Sequence, residues 1–338
     1  MQSKLHLLRP PYSRRKALTV LAALAGTALA TPVLQAQDNA AWPSKPVRLV
    51  VNFPPGSSPD VVGRAISVPL SQRLGQPFVV DNRAGAGGSL GADIAAKAQP
   101  DGYTLLASSG SAISINPHVY RKLPYDPDKD LIPVAAAARI ELFLVAREQA
   151  PFNTFEELQA YAKAQPGRLT YGSAGNGTAP HIAGEMLKEQ AQIDLLHVPY
   201  KGASQALQDL LAGQVDVLFD PGIAIGHIKN QKLKLIAVGS MKRSSLFPQT
   251  PTLNELGLKG FDAGTSHAFY VPASTPMAIV EKLNAEITRI VQTPAVRSQI
   301  HALGAEVQVL SPEQLRQQLQ QDRNRYGEVV RRRNIRAD

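Results

Sequence analysis

Short apolar runs and helical spacing alternate along most of this chain. Val47 to Phe53 is a β-branched run suited to a buried strand. Pro54-Pro-Gly-Ser-Ser-Pro-Asp60 ends it, and a helix is expected from near Pro59, since proline is tolerated in a first turn. Gly75 closes that helix, and Pro69 inside it should bend or shorten it. Phe78 to Val80 predicts the next strand. The cluster Gly85 to Gly91 leads into a helix reaching about Ala98, and Tyr103 to Ala107 predicts a third strand followed by the polar turn Ser108 to Ser111.

Beyond Pro133 the pattern resumes, with strands expected at Leu142–Val145, Leu169–Tyr171, Leu195–Val198, Val215–Phe219 and Leu233–Val238. Thr154-Phe-Glu-Glu157 has the form of a capping box. Ile182, Met186 and Leu187 have helical spacing, and an apolar-periodic helix follows Tyr200–Ser204 as far as Gly213. From Pro276 the chain reads as mostly helical, with Ser311-Pro-Glu-Gln314 opening the last helix. Strands alternating with helices predict an α/β fold with mainly parallel sheets.

Between strand Leu169–Tyr171 and the helix after it lies a turn of small residues, Ser173, Gly175, Asn176, Gly177 and Thr178, ending at His181. Helix-start N–H groups lack intrahelical partners and carry partial positive charge, so the turn suits a carboxylate or phosphate. Alternatively its glycines only supply φ > 0 and Thr178 only caps the helix. Five such turns, 53–60, 108–116, 173–181, 200–204 and 220–226, fall where strands end. Ligands of open α/β sheets bind at those carboxyl ends, so the turns are expected to converge on one cleft.

Charge sharpens this picture. The chain has 36 Lys and Arg against 27 Asp and Glu. Yet Lys4, Arg9, Arg14, Arg15 and Lys16 lie in an acid-free leader, and Arg331, Arg332, Arg333 and Arg336 lie at the other end. What remains between is close to neutral, which argues against a nucleic-acid groove. The triplet Arg331-Arg-Arg333 reads as a solvated helix end. Basic residues, the apolar run Ala17–Ala25 and Ala28-Leu-Ala30 have the form of a secretory signal over residues 1–30, cleaved within 30–36. Ser13-Arg-Arg-Lys-Ala-Leu18 also looks like a twin-arginine signal, so the export route stays open. There is no cysteine, hence no disulfide and no lipidated anchor. No later apolar run approaches ~20 residues. The expectation is a soluble periplasmic protein without cofactor.

Catalytic alternatives are thinner. Gly87-Gly-Ser-Leu-Gly91 matches the G-x-S-x-G elbow of an exported serine hydrolase, but Arg83 to Ala86 separate Ser89 from its strand. Ser89 reads instead as an ordinary N-cap. Gly85 to Leu90 lacks the last glycine of a dinucleotide fingerprint, and no phosphate-loop motif occurs. The histidines lack metal-ligand spacing, and Lys201 could touch an anion but stands alone on its turn.

Eight motifs occur in order: Trp42-Pro-Ser-Lys-Pro46; Phe53-Pro-Pro-Gly56 with Asp60; Asn82-Arg83 with Gly85-Ala-Gly-Gly88; Pro100-Asp-Gly-Tyr-Thr-Leu105; Leu123-Pro-Tyr-Asp126; Ser173-Ala-Gly-Asn-Gly-Thr178 with His181; His197-Val-Pro-Tyr-Lys-Gly202; and Gly213-Gln-Val-Asp216. Together they resemble the Bug family, the periplasmic receptors of tripartite tricarboxylate transporters, over essentially the whole mature chain. The resemblance implies a type II periplasmic binding protein, with two α/β lobes joined by two crossover segments. Lobe 1 would span 43–140 plus 264–338 and lobe 2 141–263, with crossings near Glu141 and Ala263. It implies a carboxylated ligand in the cleft, held by backbone amides, small hydroxyls and waters rather than by arginine. The matching positions are Phe53, Gly56, Ser58, Asp60, Ser109, Ser111, Ser173, Asn176, Gly177, Thr178 and His181, with Tyr200 and Asp220 at the rim. A monomer serving integral-membrane permease subunits follows from the same likeness. An orphan sensor for a signalling partner is the other reading of such a receptor.

Three departures bear on the pocket. Ser57 stands where the family usually has glycine, adding a hydroxyl to the ligand-binding turn. Pro59 replaces Ser or Thr, and Phe219-Asp-Pro221 lacks the asparagine common after that aspartate. In the return crossing His267 replaces a tryptophan, which removes an apolar wall and adds a titratable group.

Overall fold

The computed structural model describes residues 42–337. The expected signal over residues 1–30 lies outside them. Two sheets organise the described residues. The first lobe begins with β1 (Val47–Val51), α1 (Ser58–Leu74), β2 (Phe78–Asn82), α2 (Ser89–Ala96) and β3 (Thr104–Ser108). β1 pairs in parallel with both β2 and β3. Val47, Leu49, Val50 and Val51 are wholly buried, as expected of a parallel strand covered on both faces.

A π-helical turn, Ser111–Ile115, runs into the short α3 (Asn116–Val119). The chain then enters β4 (Leu131–Ile140) and, after only Glu141 and Leu142, β5 (Phe143–Arg147) in the other sheet. The second lobe continues with α4 (Phe155–Ala164), β6 (Thr170–Ser173), α5 (Ala179–Ala191), β7 (Leu196–Pro199) and α6 (Ala203–Leu211). It ends with β8 (Val217–Asp220), α7 (Ile225–Lys229) and β9 (Leu233–Val238). β10 (Thr265–Pro272) returns to the first sheet, followed by α8 (Met277–Val291), α9 (Pro294–His301), β11 (Glu306–Val307) and α10 (Pro312–Arg332). Strand orders are β11-β4-β10-β3-β1-β2 and β7-β6-β8-β5-β9.

The sheets are mixed. Each keeps three parallel strands, while the strands that carry the crossings, β4, β5 and β10, pair antiparallel to their neighbours. Alanine, and proline more so, are disfavoured in strands, which is why Leu131–Ile140 with Pro133 and Ala135–Ala138 does not look like one. Its ladder with β10 absorbs the misfit through register shifts at His267/Ala268 and Phe269/Tyr270, the second where Pro133 pairs with Tyr270.

Several local signals are realised differently from expectation. Gly75 ends α1 in the left-handed region, but the helix passes through Pro69 to Leu74 without stopping. Ser89 is not an N-cap: Gly88 holds that position and Ser89 is the first helical residue. Ser311 and Gln314 form a full reciprocal capping box, whereas the Glu157 carboxylate takes the Asn153 N–H and leaves Thr154 only half of one.

The two crossings touch. The Gly239 N–H donates to the Leu142 carbonyl at 2.7 Å, and the Ala263 N–H donates to Gly239 at 2.8 Å. α10 lies across both. Leu315 and Leu319 pack into the first lobe's core, while Tyr326, Val329 and Val330 belong to the second's. Arg331-Arg-Arg333 is therefore not a merely solvated end, since Arg332 pairs with Glu189 at 3.0 Å and Arg333 with Glu185 at 2.9 Å, both on α5. Burial works against the Glu185 charge, but hydrogen bonds from Tyr171 and Arg333 and the Lys188 charge hold its pKa below the usual range.

Candidate functional site

The turns after β1, β3, β6 and β8 and the start of β10 meet between the lobes. They enclose a cavity of about 30 Å³, lined by Phe53, Ser57, Ser58, Pro59, Ser109, Ser111, Leu142, Ala174, Thr178, Ala179, Pro180, Ala203, Pro221, Thr265 and His267. That is room for roughly two waters. Helices α1 and α5 both begin at its wall, each with proline in its first turn. The lobes touch across it, the Ala179 N–H of α5 donating to Ser111 Oγ of the first lobe at 3.2 Å.

Each polar group in the wall has a distinct state. The Ser57 hydroxyl donates to the Pro54 carbonyl at 2.6 Å, so it braces its own turn. Ser58 Oγ lies 2.9 Å from His267 Nε2. Ser109 Oγ is buried with no hydrogen-bond partner. Thr178 is the N-cap residue of α5, yet its hydroxyl donates to the Gly175 carbonyl at 2.6 Å rather than accepting from the helix. Burial pushes the His267 pKa down to about 3.

The remaining sequence candidates stand behind the wall. Asp60 accepts the Gly56 N–H at 2.9 Å and bonds Asn82 and Arg64, thereby holding the turn in shape. Burial opposes its charge, but those bonds outweigh it and keep its pKa low. Ser173 Oγ lies 2.7 Å from His197 Nε2, and the Gly177 N–H donates to His181 Nδ1 at 3.2 Å. Tyr200 donates to Asp209 at 2.7 Å, burial raising its pKa to about 12. Asp220 is fully buried rather than at a rim, accepting the Gly222 and Ala224 N–H groups through one oxygen. Burial raises its pKa to about 7 against those donors.

Asn176 and Gly177 press on the other lobe. A Cβ on Gly87 would sit 2.7 Å from the Asn176 carbonyl, and one on Gly177 2.7 Å from Asn116 Oδ1. Beyond them a second opening of about 270 Å³, bounded by Gly85 to Gly88, Tyr120, Asn176, Tyr200 and Lys201, shares Phe53 and Ala174 with the first cavity. Ser89 Oγ accepts from Asn116 Nδ2 at 2.7 Å and lies 3.5 Å from the Tyr125 hydroxyl. Neither partner is a base. Among the described residues no cluster of His, Asp and Glu is placed to hold a metal. The sequence did not single out Leu142, Ala174, Ala179, Pro180, Ala203 and Thr265 in the wall, of which all but Leu142 and Thr265 lie within turns it did mark.

Residues 62–335 match the family model described as the tripartite tricarboxylate transporter family receptor. The chain belongs to that family. The receptor is 36% identical over 318 residues to Protein BugT of Bordetella pertussis, covering 93% of this chain and 97% of that one. Among solved structures it is similar to MatC from Rhodopseudomonas palustris with bound malate, at 34% identity and TM-score 0.81, covering 86% of this chain and 100% of that one. It is also similar to R. palustris Rpa4515 with adipate, at 30% identity and TM-score 0.84, covering 87% and 99%. The receptor thus has the two-lobed architecture of periplasmic binding proteins and is a solute receptor of the tripartite transporter type.

Proposed function

We propose that the protein captures a small mono- or dicarboxylate in the interlobe cavity and delivers it unchanged to integral-membrane permease subunits. The observation that carries this reading is the cavity wall, which sets hydroxyls and two helix starts around a space with no arginine or lysine. The malate and adipate held by the two relatives agree in chemical class. The lobes are residues 43–140 with 264–338, and 141–263, hinging at Glu141–Leu142 and Gly239–Ala263. The chain acts as an exported, monomeric periplasmic protein. Binding without catalysis is supported by Ser89, which has no imidazole beside it, and by the Ser58–His267 and Ser173–His197 pairs. Their imidazoles are pushed to about 3 by burial and are too weakly basic to take a serine proton at neutral pH.

A cavity this small requires the lobes to separate before a ligand of several carbons enters, so the ligand binds by closure around it. A thermal-shift screen of carboxylates against uncharged amide analogues tests the proposal. Ligand at 100 times its dissociation constant adds about 2.7 kcal/mol of stability, a shift of a few degrees. Shifts by sugars or cationic amines, with none by carboxylates, would sink it.

A further inference from the structure

We propose that His267 takes up a proton as a carboxylate enters the interlobe cavity, and so becomes the counter-charge of the bound anion. This rests on the carboxylate reading above and extends it to how the site neutralises its ligand.

Among the described residues that line the cavity, His267 is the single titratable side chain. A carboxylate sealed there meets hydroxyls and backbone N–H groups but no fixed cation. Burying an anion is costly; the hydroxyls and helix starts offset part of that cost, and a cation formed in the wall would offset more. His267 is 3% exposed, its Nε2 is fixed 2.9 Å from Ser58 Oγ, and its Nδ1 makes no hydrogen bond of normal geometry. In the neutral ring one nitrogen is a donor and the other an acceptor; once protonated, both donate. Protonation then fixes Nε2–H as donor to Ser58 Oγ. The Ser58 hydroxyl proton is thereby freed to point at a carboxylate at the start of α1. The proton comes from solvent and returns to it when the ligand leaves.

The empty cavity opposes this charge. Burial holds the imidazole at about 3, with only the Ser266 carbonyl favouring protonation. An anion within ~4–6 Å raises such a pKa by about one to three, bringing it to about 6 at most. Uptake therefore belongs to mildly acidic solution. Other ionisable groups lie on the neighbouring elements. On α1, Asp60 is committed to Arg64, and on β4, Arg139 is committed to Asp322 and Asp262. Across the cavity, Glu141 adjoins Leu142, Asp220 adjoins Pro221 and His181 adjoins Pro180. None of these sets the state of the empty-site imidazole. Glu141 and Asp220, pushed to about 7 by burial, would also gain proton occupancy beside a new anion. The test must therefore isolate His267.

Isothermal titration with malate, adipate and a panel of short monocarboxylates, at pH 7.5 and 5.0 in buffers of different ionisation heat, counts protons taken up on binding. Comparing wild type with His267→Gln cancels contributions from ligand, Glu141 and Asp220. At pH 5.0 the wild type should take up as much as about one proton more than the variant. Between pH 7.5 and 5.0 its affinity should also rise relative to the variant, by up to about tenfold. Nitrogen chemical shifts of the His267 ring in wild type, with and without ligand at pH 5.0, give the same answer if the variant misfolds. Equal uptake in both proteins, or a ring that stays neutral in the complex, overturns this inference and leaves the receptor reading intact. Failure of every carboxylate to bind at either pH overturns both.

Discussion

The imidazoles of His181 and His197 stack face to face beneath the 175–178 turn, ring centroids 4.1 Å apart and planes 7° from parallel. Burial is the main cause that lowers their pKa values, to about 4 and about 3, and for His197 the neighbouring imidazole adds to it. Below pH 6.5 the unfolded chain therefore binds protons that the folded chain refuses, and stability from these rings is lost as pH falls toward 4. Each contributes a slope of about 1.4 kcal/mol per pH unit. Asp220 and Glu141, raised to about 7, work in the opposite sense with slopes of similar size, so the ring is isolated only by comparing a variant with wild type. In His181→Gln the loss of stability between pH 6.5 and 4.5 should be shallower by about one such slope. Urea unfolding at three pH values checks this, and parallel profiles would refute it.

Ser109 presents the cavity's unpartnered buried hydroxyl. A hydrogen bond to a charged group contributes about 1.5–3 kcal/mol. Ser109→Ala should weaken carboxylate binding by about tenfold or more at ~1.4 kcal/mol per decade, and Ser58→Ala should add a comparable loss. Neither should lower the melting temperature of the free protein by more than a degree or two. Titration calorimetry decides; unchanged affinity in the double variant would remove both residues from the site.

Gly177 sits at φ 74° with Asn116 of the opposite lobe facing it. Gly177→Ala should therefore obstruct closure while leaving each lobe folded. Small-angle scattering of wild type should show compaction on binding a tight ligand, and the variant should show little. Equal compaction in both would mean that this contact does not gate closure.

Arg333 reaches from the end of the chain to Glu185, which also accepts from the Tyr171 hydroxyl at 2.7 Å. Arg333→Ala leaves a buried carboxylate with Lys188 and Tyr171 alone and should cost about 1–3 kcal/mol. The carboxylate pKa is depressed in the fold, so its stabilisation exists above about pH 4.5 and is lost below it. The penalty should accordingly shrink at pH 4. Denaturant midpoints at pH 7 and 4 measure it.

Much of the fold is legible in the residues because strands buried on both faces advertise themselves. Val47–Val51 is apolar and wholly buried except at Arg48, and Phe143–Ala146 is so throughout. β4 and β10 are not legible, since alanine, proline and a histidine occupy positions that only the completed sheet makes strand-like. The candidate wall was partly legible for a related reason. Small polar residues such as Ser58, Ser109 and Thr178 line the cavity, but Asp60 and Ser173, also small and polar on strand-end turns, face inward to brace those turns. Which hydroxyl points into a cavity depends on partners far away in the chain, as His267 is from Ser58.

The placement of α10 constrains how the chain is made. Its residues from Leu315 to Val330 complete one core and then the other, so a polypeptide still lacking them has two unfinished interiors. Each lobe should therefore fold poorly without α10, even with the rest of its residues present. A chain ending at residue 311 should be cut throughout by brief proteolysis under conditions that spare the full-length protein. The last long helix thus works as a shared seam, tying the completion of either interior to that of the other.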